Sequence, residues 1–141
     1  MKTLFAVALL LPTLALAQAT PLGLWKTIDD DGKTAKSLVR ISEQGGTLVG
    51  SIDKLLDPTA PADAKCDKCS DDRKNHPVVG LQIIRGVKPD GEGIWGHGEI
   101  LDPNNGKTYR TRLKPVDGGK KLEMRGYIGP FYRTQTWIRV E

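Results

Sequence analysis

The stretch Ile100–Gly129, "ILDPNNGKTYRTRLKPVDGGKKLEMRGYIG", decides the fold. Between its two turns, Tyr109, Thr111 and Leu113 alternate with Thr108, Arg110 and Arg112. Past the second turn, Leu122, Met124 and Ile128 share one parity while Glu123, Arg125 and Tyr127 share the other. Successive side chains of an extended chain point to opposite faces, so a period of two marks a strand with one face buried. The separators are Asn105-Gly106 and Asp117-Gly118. Such pairs accept the positive φ angles of a tight hairpin, whose twist matches that of the strands it joins.

Outward from this stretch the same punctuation recurs at Asp31-Gly32, Gly45-Gly46 and Asp90-Gly91, and no segment after residue 20 carries a sustained helical repeat. The turns divide the chain into about eight strands, near residues 23–28, 36–43, 47–56, 78–88, 92–101, 107–114, 120–128 and 131–140. A long meander hides its edges most simply by closing on itself. The expected architecture is therefore all-β, a single antiparallel up-and-down barrel, with an open sandwich as the competing solution. "GSIDKLLDP" (Gly50–Pro58) and "GHGEILDP" (Gly96–Pro103) echo each other. A repeated turn solution, with Asp57 and Asp102 as turn formers, explains the echo more simply than duplication.

The N-terminus, "MKTLFAVALLLPTLALAQA", places Lys2 before an apolar run from Leu4 to about Leu16, followed by small residues at alternating positions. That order predicts a secretory signal peptide over 1–19, cut after Ala17 or Ala19, and a single barrel domain over 20–141. The run is shorter than the roughly 20 residues of a spanning helix and contains Pro12. The expectation is a periplasmic or secreted protein with no stable membrane insertion after cleavage. The net charge of +4 comes without a basic run, acids and bases alternating along the chain. Read linearly, that is a solvated surface rather than a nucleic-acid or membrane contact.

Gly23 and Trp25 in "PLGLW" form a Gly-x-Trp pair at the start of the first strand. It resembles the opening of lipocalins and related calycin barrels, in which the tryptophan plugs the closed end beneath an arginine of the last strand. Arg133 and Arg139 in "FYRTQTWIRV" are the candidates for that arginine, and a guanidinium over an indole contributes roughly 0.5–2 kcal/mol. More specifically, "GLWKTIDD", "LLDP" with the following "CDKC" loop, "GLQIIRGVK", "ILDPNNGKTYR", "LEMRGYIG" and "RTQTWIRV" stand in the order of a bacterial exported family, domain of unknown function 2147. The resemblance spans roughly residues 21–140 and implies a calycin-like barrel. It brings no catalytic residues. His97 in "WGHGEI" stands where the family is expected to favour glycine.

Cys66 and Cys69 in "CDKCSDDRKNHP" allow three readings. A zinc site would add His76 and one of Asp67, Asp71 or Asp72, but closed zinc sites usually draw on two cysteine or histidine pairs. A redox centre calls for a thioredoxin-like βαβ setting, which is missing here. In an oxidising compartment a Cys66–Cys69 disulfide stapling the longest loop is preferred, at roughly 2 kcal/mol by the chain-entropy estimate.

Trp95, Tyr109, Arg125, Tyr127 and Trp137 are the candidate ligand contacts, because inward-facing arginines can clamp an anion bidentately. The competing reading puts the arginines on a solvated outer face and the tryptophans in the core. Glu99 beside His97 could pair for acid–base work, but no nucleophile or supporting carboxylate lies near. The expected function is non-enzymatic binding of a small, partly apolar or anionic molecule, without cofactor, metal or nucleic acid. The alternative is an envelope interaction module working through the stapled loop 57–77.

Overall fold

The computed structural model describes residues 3–9 and 19–141. Residues 10–18, with most of the expected signal peptide's apolar run and Ala17, lie outside the described residues, as does Lys2. Among the described residues no helix is long and apolar enough to cross a membrane.

Eight strands follow one another: β1 (Gly23–Ile28), β2 (Ala35–Gln44), β3 (Thr47–Leu55), β4 (Gln82–Pro89), β5 (Trp95–Asp102), β6 (Lys107–Val116), β7 (Lys121–Ile128) and β8 (Phe131–Arg139). Each pairs antiparallel with the next, and β8 returns to β1, closing the barrel. An open sandwich is thereby ruled out. The closing seam is short: Trp25 pairs with Arg139 and Lys26 with Ile138. Two boundaries differ from the sequence reading. Val78–Leu81 forms a turn before β4, with the Gly80 amide donating to Ile52 O at 2.7 Å and Gly80 at φ +89°. β5 starts at Trp95, because Asp90 N–H closes the preceding turn on Ile94 O at 2.8 Å.

Antiparallel succession sends odd strands one way and even strands the other. One end of the barrel therefore gathers the N-terminal segment, the hairpins at 45–46, 90–94 and 117–120, and the C-terminus. The other end gathers loops 29–34, 56–81, 103–106 and 129–130.

The first end is shut. Trp25 is fully buried, its indole N–H donating to Pro21 O at 2.7 Å. The Arg139 guanidinium lies 4.2 Å above its ring and donates to three backbone carbonyls, those of Gly119, Leu22 and Thr20. Each of its three nitrogens thus has a backbone partner without a carboxylate, which offsets the desolvation of this half-buried charge. Gly23 sits at φ +131°, where a Cβ would overlap the Glu141 carbonyl and Arg139 Nη1. The Gly-x-Trp pair is therefore one steric unit: the glycine admits the chain end and the arginine that cover the tryptophan. Val39, Val87, Leu113 and Leu122, all buried, fill the barrel around it.

Candidate functional site

The other end is hollow. A cavity of about 710 Å³ opens there, its floor and walls including Ile52, Ile83, Ile100, Met124 and Trp137. The space arises from inward positions that carry small or polar side chains. Thr27 and Ser37 face each other across β1 and β2 one step above Trp25 and Val39, their hydroxyls 2.8 Å apart. Gly126 stands one inward position above Met124 on β7, where an added Cβ would meet only Tyr109 Cβ, at 3.9 Å.

A polar ladder climbs one wall. Trp137 Nε1 donates to Gln135 Oε1 at 2.9 Å, and Gln135 Nε2 donates to Asp30 Oδ1 at 2.8 Å. Arg133 Nη1 reaches Asp30 Oδ2 at 3.1 Å. Beside it, Lys36 Nζ bonds Asp57 Oδ2 at 3.1 Å and lies 3.8 Å from Asp29. The hydroxyl and amide of Thr59, and then Lys36, hold the Asp57 carboxyl down at about 2. Arg133 and Lys36 are thus matched by carboxylates, whereas Lys65, Asp67, Lys68 and Asp102 line the same rim without an ion pair among the described residues.

Loop 56–81 leans over this opening and is itself ordered. Cys66 and Cys69 form a disulfide, with Cα atoms 5.4 Å apart, and both are buried in the core cluster. The Cys66 amide donates to His76 O and the Asn75 amide to Cys66 O, each at 2.8 Å, making a small internal hairpin. Arg73, only 4% exposed, ties the loop to Asp71 and to Gln82 O, while Arg85 grips Asp72 with two bonds of 3.0 and 2.9 Å. The loop backbone at Lys68 and Cys69 rests against Gly106 of the β5–β6 turn so closely that any Cβ there would overlap it. Among the described residues no group of three or more His, Cys, Asp or Glu side chains converges on a point.

The candidates read from sequence divide. Tyr109 and Trp137 line the cavity, the Tyr109 hydroxyl accepting from Asn105 Nδ2 at 3.0 Å. Arg125 and Tyr127 do not: β7 turns Leu122 and Met124 inward, so both project from the outer wall. There Arg125 stacks 4.0 Å from the Tyr132 ring, and Arg110 lies 5.5 Å from Tyr127. Trp95 starts β5 at the shut end, packed against the core and away from the cavity. A register shift between Trp95 and Gly98, with His97 at φ +62°, places it there. That positive φ also accounts for the glycine expected at position 97. His97 pairs with Asp90 at 3.0 Å rather than with Glu99, whose cross-strand neighbours are Arg85 and Arg110. Of the two candidate closing arginines, Arg139 covers Trp25, while Arg133 sits at the opposite rim on Asp30. Thr27, Ser37, Asp30 and Gln135 escaped the sequence reading. Gln135 was the readable one, a polar residue on the inward parity of Trp137.

The profile of a family described as "Uncharacterized protein conserved in bacteria (DUF2147)" matches residues 23–139, from the glycine beside Trp25 to the arginine above it. The chain belongs to this family. The DUF2147 barrel also superposes on a solved structure from Helicobacter pylori, "Protein HP1028 from the human pathogen Helicobacter pylori belongs to the lipocalin family". The TM-score is 0.72 at 20% sequence identity, over 85% of this chain and 82% of that one. At that identity the likeness is one of fold: a lipocalin-like barrel with one closed and one open end. No curated protein matches the chain. In a fold of this size the interior has room for one small ligand, and here that room lies at the open end of the DUF2147 barrel.

Proposed function

We propose that this protein is an exported, non-enzymatic barrel that takes a small, partly apolar molecule in its open end. The cavity carries the reading: about 710 Å³, within the range of small-ligand sites, with an aliphatic and indole floor beneath a few polar groups. The apolar body of the ligand would rest on Ile52, Met124 and Trp137, and its polar group would meet the Thr27–Ser37 hydroxyls or Gln135. Arg133 is matched by Asp30 and Lys36 by Asp57, while Lys65 and Lys68 line the cavity outside those ion pairs, so the rim admits a neutral or an anionic polar group. The buried disulfide and the DUF2147 membership support export, in keeping with a signal peptide over 1–19.

Native mass spectrometry of protein taken gently from the periplasm should show a bound small molecule. Displacement of an apolar fluorescent probe should then rank ligands. Gly126→Leu, which projects a side chain into the cavity, should weaken probe binding about tenfold or more while leaving stability unchanged or raised by about 0.5–2 kcal/mol. Probe binding equal to wild type in that variant would remove the cavity from the account. The alternative of an interaction module acting through loop 57–77 draws less support, because Asp57, Thr59, Lys65 and Lys68 already line the cavity.

A further inference from the structure

The fold collects charge that the linear sequence disperses. On the outer wall of β6 and β7, opposite in parity to buried Leu113, Leu122 and Met124, stand Arg110, Arg112, Lys114, Lys121 and Arg125, with Glu123 as the single carboxylate. Taking those five cations and one acid from the chain totals of 21 basic and 17 acidic residues leaves 16 of each. One of those 16 bases is Lys2, in the expected signal peptide, so over residues 20–141 this face carries +4 and the remainder carries −1. Arg112 and Arg125 are direct cross-strand partners, and like charges in that position destabilise a sheet. Among the described residues neither arginine, nor Arg110, is within ion-pair distance of a carboxylate.

The same hairpin ends in a bare apolar tip. Ile128 pairs with Phe131 around Gly129-Pro130, and Phe131 is 75% exposed, Tyr132 55% and Ile128 48%. The tip stands at the open end, and Ile128 itself lines the cavity. An anionic partner would relieve the arginine pair, and a partner with an apolar interior would cover the tip. A lipid bilayer offers both in one surface.

We propose that the β7–β8 hairpin docks the barrel, open end first, on an anionic membrane surface. Ile128 and Phe131 enter the headgroup boundary while Arg110, Arg112 and Arg125 meet lipid phosphates. Docking goes beyond cavity binding and needs no cavity ligand, so failure of either leaves the other standing. The test is co-sedimentation of the barrel, residues 20–141, with vesicles of phosphatidylcholine alone or with phosphatidylglycerol added. Sedimentation is expected only with the anionic vesicles, falling as salt is raised. Ile128→Ser/Phe131→Ser should weaken it about tenfold or more, with near-ultraviolet circular dichroism unchanged. Arg112→Gln/Arg125→Gln should weaken it about tenfold as well. No sedimentation with anionic vesicles overturns the proposal. So does wild-type sedimentation of the Ile128→Ser/Phe131→Ser variant, which would mean simple charge attraction. Equal binding to a soluble polyanion such as dextran sulfate, undiminished in that variant, would assign the face to a polyanion instead.

Discussion

The two ends of this barrel are built on the same strands with the same alternation, yet one is sealed and the other hollow. At the sealed end the inward positions hold Trp25, Val39, Leu113 and Leu122, and a guanidinium with each of its three nitrogens bonded to a carbonyl lies over the indole. Two to four residues further toward the other end, the inward positions hold Thr27, Ser37 and Gly126, with Gln135 beside them on β8. Side-chain volume at equivalent depth makes the difference. The sealed end should therefore govern stability and the hollow end binding, a separation open to direct attack.

The largest effect is expected at the sealed end. Trp25→Ala should lower unfolding free energy by about 3–5 kcal/mol in urea titration. A loss under about 1 kcal/mol would show that the end is not the anchor. Arg139→Met keeps the apolar cover but strands three carbonyls, and should cost about 2–3 kcal/mol. Arg133→Met, its counterpart on the same strand, should change stability by no more than about 1 kcal/mol, since its pair with Asp30 is exposed. If the two arginine variants were equally damaging, the contrast between the ends would collapse.

Smaller effects belong to the loop at the hollow end. Cys66→Ala/Cys69→Ala should cost about 2 kcal/mol at most. Hydrogen exchange should rise over residues 56–81 and stay unchanged in β1, β7 and β8; faster exchange throughout the barrel would mean that the staple supports the whole fold. Smallest is a pH effect. The Asp57 carboxyl titrates at about 2 in the folded chain against 3.8 for an ordinary aspartate, so the folded state binds its proton less readily than the unfolded one. The loop's anchorage through Asp57 is therefore complete above about pH 4 and lost as pH falls towards about 2. Asp57→Asn should flatten that part of an exchange-versus-pH profile, and an unaltered profile would show that the Lys36–Asp57–Thr59 contacts do not hold the loop.

Much of the barrel was legible because its signals are local. Asn105-Gly106 and Asp117-Gly118 mark turns by backbone chemistry alone, and the parity of Leu122 and Met124 already implied that Arg125 and Tyr127 face outward. Choosing between Arg133 and Arg139 was not a local matter. They share a parity, and only the register of β8 against β1 decides which one reaches Trp25. Trp95 packs against the core, the competing reading for the tryptophans, at a place set by a shift of register beside a residue with positive φ that no local alternation shows.

By itself, then, the sequence determined the strand succession and the hairpin turns, since each depends on side-chain period or φ preference within a few residues, while the Gly-x-Trp plug was implied by the family resemblance. The tertiary structure alone decided which arginine seals the barrel, where it stays hollow, and that cations scattered over β6 and β7 share one outer face. Those outcomes depend on which distant residues closure brings to the same height and the same side, and no local pattern encodes that.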